Sequence, residues 1–276
     1  MTLRLPVHFV FTPLGNTVDV SSPGLCRRAH NIRCSSGKST RRPQNVEGEF
    51  YVDRSCIDCD VCRWMAPNSF KRVDGQSAVY KQPKDPRERL AALQALLSCP
   101  TASIRTETPP SDILEAHATF PIPINEESIP GVYHCGYHSE KSFASSSYFI
   151  RRTGGNILVD RVMQQSLCGC NVLRDDVADH NLWQKHFKCP RIIHELEVTA
   201  DTANVEIKLE GSGPWDFLGP DIDLIFTPGH TEGSVCLHLK PLKVLFTGDH
   251  LANSGKGFLN VDPIYNWYSG TLKAVA

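Results

Sequence analysis

"LRDDVADH", residues 173–180, closes on an adjacent carboxylate and imidazole, Asp179 and His180, directly ahead of the helix-like run "NLWQKHF". A carboxylate beside an imidazole suits a divalent cation. An aspartate at a helix start is also an ordinary cap. The pair alone therefore decides nothing, and its meaning depends on the rest of the chain.

Two further islands carry the same kind of donor. His230 sits in "FTPGHTEGS", residues 226–234, where Pro228, Gly229 and Gly233 shape a tight loop. Asp249 sits in "FTGDH", residues 246–250, straight after a strand-like run. Each has a plain alternative: a histidine between glycines is often simply exposed, and Gly-Asp after a strand is common turn chemistry. Around them, "SYFIRR", "NILVD", "DLIF", "SVCLHL" and "KVLFT" read as short strands, so the second half of the chain reads as α/β. Loops at strand ends are where such folds collect function. An aspartate and a histidine from one loop, a histidine from another and a bridging aspartate from a third suit two divalent metals, which can share a water, lower its pKa and clamp a hydrolytic transition state.

The order of these motifs, with Asp160 closing "NILVD" ahead of them, resembles the metallo-β-lactamase superfamily over roughly residues 131–267. The resemblance implies a four-layer αββα sandwich, metal ligation (zinc or iron) by Asp179, His180, His230 and Asp249, and a catalytic part for Asp179. The superfamily pattern H-x-H-x-D-H puts histidines at 175 and 177, where this chain has Asp175 and Val177; the alternative register puts one at Leu173. The late metal-binding histidine of the family has no counterpart before Ala276, and "RVMQQSLCGCNVL", residues 161–173, lacks clear periodicity. The α/β metallo-β-lactamase domain is thus expected to be incomplete, altered ahead of its first motif and impaired, with at most one firmly held metal.

A second constellation lies upstream. Cys56, Cys59 and Cys62 form a C-x2-C-x2-C run in "CIDCDVC", and Cys99 is followed by Pro100. Three closely spaced thiolates and one distant one can occupy four corners of a [4Fe–4S] cluster. A second cluster would need a cysteine where Ala66 stands before Pro67, so one cluster is expected. Zinc also takes four thiolates, though more often through two C-x2-C knuckles. "CRWMAPNSF" reads as a helical turn ended by Pro67, "SAVYK" and "ASIRTE" as strands, and "DPRERLAALQALL" as a helix started by Asp85 and Pro86 with Leu90, Leu93, Leu96 and Leu97 at helical spacing. Residues 47–108 resemble a single-cluster bacterial-type ferredoxin, an α+β module. Together, "GVYHCGYHSEKSFASSSYFI", "RDDVADH", "FTPGHTEGS" and "FTGDHLA" resemble a plant and cyanobacterial family that joins such a module to a metallo-hydrolase domain.

The charge is unevenly spread. Residues 1–45 hold seven Lys/Arg and one acid, while the remainder has a net charge of −7. An acidic body does not seek nucleic acid or anionic lipid, and no apolar run reaches the roughly 18–20 residues of a membrane span. The basic, Ser/Thr-containing start is expected to be a transit peptide or a disordered tail over residues 1–46, directing the chain to a chloroplast or, failing that, a mitochondrion. Residues 109–130, rich in proline, read as an extended connector, and residues 131–276 as the hydrolase-like domain. The expected activity is metal-dependent hydrolysis of an ester or thioester in a small-molecule substrate. The alternatives are an electron-transfer or binding protein on a non-catalytic scaffold, and an iron-dependent oxidoreductase; a redox partner is possible in each. His134 and His138 are expected on a strand-end surface, with lining of the metal site as the alternative, His238 facing solvent, and Cys135, Cys189 and Cys236 as buried small residues.

Overall fold

Asp85 begins the best-defined helix of the chain. Its side chain accepts from Arg87 N and Glu88 N at 2.9 Å each, Pro86 takes the first turn, and Glu88 reaches back to Lys84 N. These bonds satisfy amide donors that a helix start leaves open. The computed structural model describes residues 40–136, 147–159, 169–172 and 180–248.

In the first module β1 (Phe50–Val52) pairs antiparallel with β4 (Ile104–Thr106). The helix α1 (Val61–Met65) follows the cysteine loop, β2 (Phe70–Val73) and β3 (Gln76–Val79) form a hairpin, and α2 spans Pro86–Leu97. Asp74 and Gly75, both at positive φ, make the hairpin's tight turn. Phe50, Val52, Phe70, Val79, Leu93 and Ile104 are buried together in one core. Of the four leucines expected on the helix face, Leu93 and Leu97 are fully buried, and Leu90 and Leu96 pack at the margin. The folded module also takes in residues 40–46, which sequence assigns to the leading segment. Arg42 is buried and donates to Val73 O and Ser77 O, and Asn45 bridges Val52 and Val79.

The supposed connector is structured. Residues Ile113–His117 form α3, Ala116 and Phe120 enter the core of the first module, and β5 (Ile122–Pro123) pairs with β6 (Val132–His134). Proline did not force an open chain here, because Pro121 and Pro123 lie at the sheet's outermost strand, where a missing amide donor costs little. Trp64 of α1 meets the ring of His134 at 5.6 Å, so the two modules are packed against each other.

The second module holds two sheets. The larger runs β11-β10-β9-β8-β7-β6-β5, with β7 at Tyr148–Ile150, β8 at Asn156–Val159, β9 at Gly169–Val172, β10 at Arg191–His194 and β11 at Ile207–Leu209. Strands β5 to β8 are antiparallel, and β8 to β11 are parallel. The smaller sheet is antiparallel: β12 (Ile222–Phe226), β13 (Val235–Leu239) and β14 (Val244–Phe246). Ile150, Ile157, Val159 and Ile192 of the first sheet meet Ile222, Leu224, Leu237 and Phe246 of the second. The opposite face of the large sheet, through Phe149 and Leu158, is covered by Phe187 of α4 (His180–Phe187) and by Cys189. The described residues thus stack as helix, sheet and sheet, the arrangement expected when each sheet buries one face.

Candidate functional site

The cysteine loop is held in a shape that side chains alone would not favour. Asp58 and Asp60, on either side of Cys59, are both left-handed, at φ 62° and 72°. Such residues cost energy and cluster at functional sites, and alternating backbone hands turn amide donors inward. Arg63 secures them, bonding to Asp58 Oδ1 at 2.7 Å and to the Asp60 carboxylate, with Ser77 Oγ at 2.6 Å. Asp58 N points at Cys56 Sγ from 3.5 Å and Ser103 N at Cys99 Sγ from 3.2 Å. Cys99 follows the C-cap of α2, which carries the distant fourth thiol to the loop.

Burial raises the Cys59 thiol and pushes Cys62 up to about 12; Ser77 offsets part of the latter, and the neighbouring thiols raise both further. Cys59 is influenced by Cys56 and Cys99, and Cys62 by Cys59 and Cys99. The four thiols thus lie near enough to influence one another. Among the described residues, however, no three His, Cys, Asp or Glu groups converge tightly enough to grip a single ion. A C-x2-C-x2-C run with one distant thiol is the donor spacing of a four-iron cube, whereas zinc sites more often pair two C-x2-C knuckles. Iron would also supply the positive charge that the crowded thiols lack.

In the second module the strand ends share one edge. Strand β8 ends level with β9, Val159 opposite Val172, and β9 runs parallel to β10. His194, the last residue of β10, stacks on Phe226, the last of β12, at 4.7 Å. Phe226 pairs with Val235, and Phe246 with Leu237, so β12 and β14 end on the same side of their sheet. Cys236 lies between, within 3.2 Å of Thr227 Oγ1 and 3.9 Å of Thr247 O. The loop of His230 follows β12 and is closed by Thr227 N to Ser234 O, Gly229 N to Thr231 O, and Thr231 N to Ser234 Oγ. His230 is 6% exposed. Asp160, Asp179 and Asp249 lie outside the described residues, as do Leu173, Asp175 and Val177; in sequence, Asp160 directly follows the end of β8, and Asp249 comes three residues after the end of β14.

His180 starts α4 and is buried, but its surroundings are cationic. Arg191 Nη1 stands 3.0 Å from His180 Nδ1. A guanidinium only donates, so Nδ1 accepts and the neutral ring carries its proton on Nε2. A metal at Nε2 would need that proton moved to Nδ1, against Arg191. Among the described contacts, Arg191 thus stands against metal binding at Nε2. Arg191 is itself 2% exposed and fixed by Glu206, Asn181 and Asn204 O. Its guanidinium draws the Glu206 carboxyl down to about 2. A carboxyl depressed on folding stabilises the protein above its usual range, and that stability fades as pH falls through the folded value. Melting temperatures of the unsubstituted chain and Glu206→Gln should therefore differ at neutral pH, converge below about pH 4 and meet near pH 2. A constant gap across that range would remove Glu206 as the source.

Sequence placed several groups differently. His134 is buried against Trp64 and Tyr148, not on a strand-end surface, and His138 lies outside the described residues. His238 is half-buried. Cys135, Cys189 and Cys236 are buried. Arg191 and Glu197 were missed. Their partners are distant in sequence, and a lone charge in "CPRIIHELE" gives no local sign of its use.

Residues 52–106 match the family described as the 4Fe-4S single cluster domain of Ferredoxin I, and residues 177–275 match the metallo-beta-lactamase superfamily. A hydroxyacylglutathione hydrolase of Rhizobium meliloti (strain 1021) is 51% identical over 45 residues, 16% of this chain and 18% of that protein. The chain thus spans less than a fifth of that relative. Among solved structures, the native FEZ-1 metallo-beta-lactamase from Legionella gormanii is 18% identical, over 40% of this chain and 55% of that one, with a TM-score of 0.31. A Cronobacter sakazakii metallo-beta-lactamase, the S60 mutant of its HARLDQ motif, is 16% identical over 39% and 54%, with a TM-score of 0.30. One chain therefore carries an iron–sulfur-type domain and a metallo-β-lactamase-type domain.

Proposed function

We propose that this chain is an iron–sulfur protein whose second module is a thioester-cleaving metallo-hydrolase scaffold, working weakly or not at all as the sequence stands. Cys56, Cys59, Cys62 and Cys99 hold the cluster, which when bound supplies one-electron transfer. The likeness to a hydroxyacylglutathione hydrolase supports a thioester as the bond class. The observation that carries the hydrolase reading is the His230 loop, buried and hydrogen-bonded where β8, β9, β12 and β14 end. A metal there would activate water. His230 would hold it with Asp179 and Asp249, while His180 is engaged by Arg191.

The Arg191 contact favours a second reading, a scaffold that binds or relays without hydrolysis. Leu173, Asp175 and Val177, where imidazoles are expected, favour it too. The test is to compare the unsubstituted chain with the double variant Asp175→His, Val177→His for metal content and thioester turnover. Under the proposal the variant gains metal, and its turnover rises at least about tenfold, as second donors restore a three-ligand site. Equal metal and equally fast turnover in both would refute impairment. No turnover in either, with metal gained, would establish the scaffold.

A further inference from the structure

The His230 loop is tied to the opposite sheet by one carboxylate. Gly233 N donates to Glu197 Oε1 at 2.6 Å, across 36 residues of sequence. The approach depends on glycine. A Cβ on Gly233 would lie 2.6 Å from Glu197 Cγ and 2.7 Å from its Oε1. No positive φ is involved, so the requirement is for space alone.

Glu197 is itself firmly presented. It ends a 3-10 turn, Glu195–Glu197, that begins where β10 stops. His194 caps that turn, accepting from Leu196 N at 3.2 Å, while its Nε2 lies 3.0 Å from Gly211 O, which fixes Nε2 as the protonated nitrogen. The same imidazole stacks on Phe226 at an interplanar angle of 16° and meets Trp215 edge-on at 5.6 Å. Phe226 is the residue from which the His230 loop departs. One end of the loop is thus braced by a ring and the other by a carboxylate, and both braces come from the end of β10. Among the described contacts, the bonds through Thr227, Gly229, Thr231 and Ser234 close the loop on itself and set its shape.

We propose that Glu197 is a positioning residue for His230: its carboxylate, through Gly233 N–H, fixes the loop so that the imidazole is held at the shared strand edge before any metal arrives. This rests on reading His230 as a metal donor. Groups that orient a ligand from behind commonly govern metal affinity by about 10–100-fold, and a charge-assisted bond to an amide is among the stronger ones.

The experiment uses the full chain with its cluster reconstituted, so that the four thiols do not compete for added metal. Glu197→Ala, Glu197→Gln and Gly233→Ala are compared with the unsubstituted chain by amide hydrogen exchange over residues 229–234 and by equilibrium dialysis against Co2+. Glu197→Ala and Gly233→Ala should lose amide protection and bind Co2+ at least about tenfold more weakly. Glu197→Gln retains an acceptor oxygen and should restore both. Unchanged protection in Glu197→Ala, unchanged Co2+ affinity despite lost protection, or a glutamine variant as impaired as alanine overturns the proposal. A chain that binds Co2+ in no form defeats the metal reading of His230 instead, and the two failures are distinguished by whether the unsubstituted chain binds at all.

Discussion

Anaerobic reconstitution should yield about four irons and four sulfides per chain with broad visible absorbance, and Cys99→Ser should reduce both to near background. The large effect follows from how the fourth thiol reaches the site. Cys56 and Cys59 lie on one loop and Cys62 in the helix α1 directly after it, whereas Cys99 arrives at the end of α2, with Ser103 N and Ser103 Oγ at 3.2 and 3.4 Å from its sulfur. Three corners alone leave one iron open to water and oxidants. Serine is smaller and harder, and suits iron of this kind poorly. Cys135→Ser is the control. That thiol is buried beside the large sheet and raised to about 12 by burial alone, so its loss should leave the iron count unchanged. One equivalent of zinc with no visible absorbance would replace the cluster by a zinc site.

The second large effect is on stability. Gly136→Ala should lower the urea midpoint sharply, through a loss of about 2–5 kcal/mol of unfolding free energy in total. Gly136 sits at φ 88°, and a Cβ there would lie 2.4–2.8 Å from the ring of Phe120. The left-handed backbone costs about 1–2 kcal/mol for an L-residue, and overpacking about 1–3 kcal/mol. Gly155→Ala separates the two contributions, since Gly155 has φ 103° but nothing within 4 Å of a built Cβ. Only the backbone cost should remain there. If the two variants unfold at the same urea concentration with the same slope, Phe120 yields without cost and the contact between the modules is a loose one.

The elements legible in sequence are those that carry their own signals. Asp85, Pro86 and spaced leucines announce α2, apolar runs announce β7, β8 and β12 to β14, and the cysteine spacing announces the cluster loop. Strands without a local signature were missed. "GCNV" pairs as β9 because β8 and β10 flank it, although Gly and Asn favour neither strand nor helix. "RIIH" and "IKL" are too short to show a period, and α3 was hidden by the prolines around it. The candidate site divides in the same way. Motifs named its donors, but the Arg191 guanidinium against His180 and the Glu197 carboxylate against Gly233 depend on residues brought together only by folding.

Residues 113–123 belong to both halves of the molecule: Ala116 and Phe120 fill the first core, and Ile122 begins the second sheet. During synthesis this stretch leaves the ribosome before any partner strand does. The first core can close over Phe120 at once, but β5 must wait for β6, which must in turn wait for β7. The early module thus offers a two-residue template on which the late one starts to assemble. For the same reason a cut at residue 108 would part the first core from Ala116 and Phe120, which help to fill it.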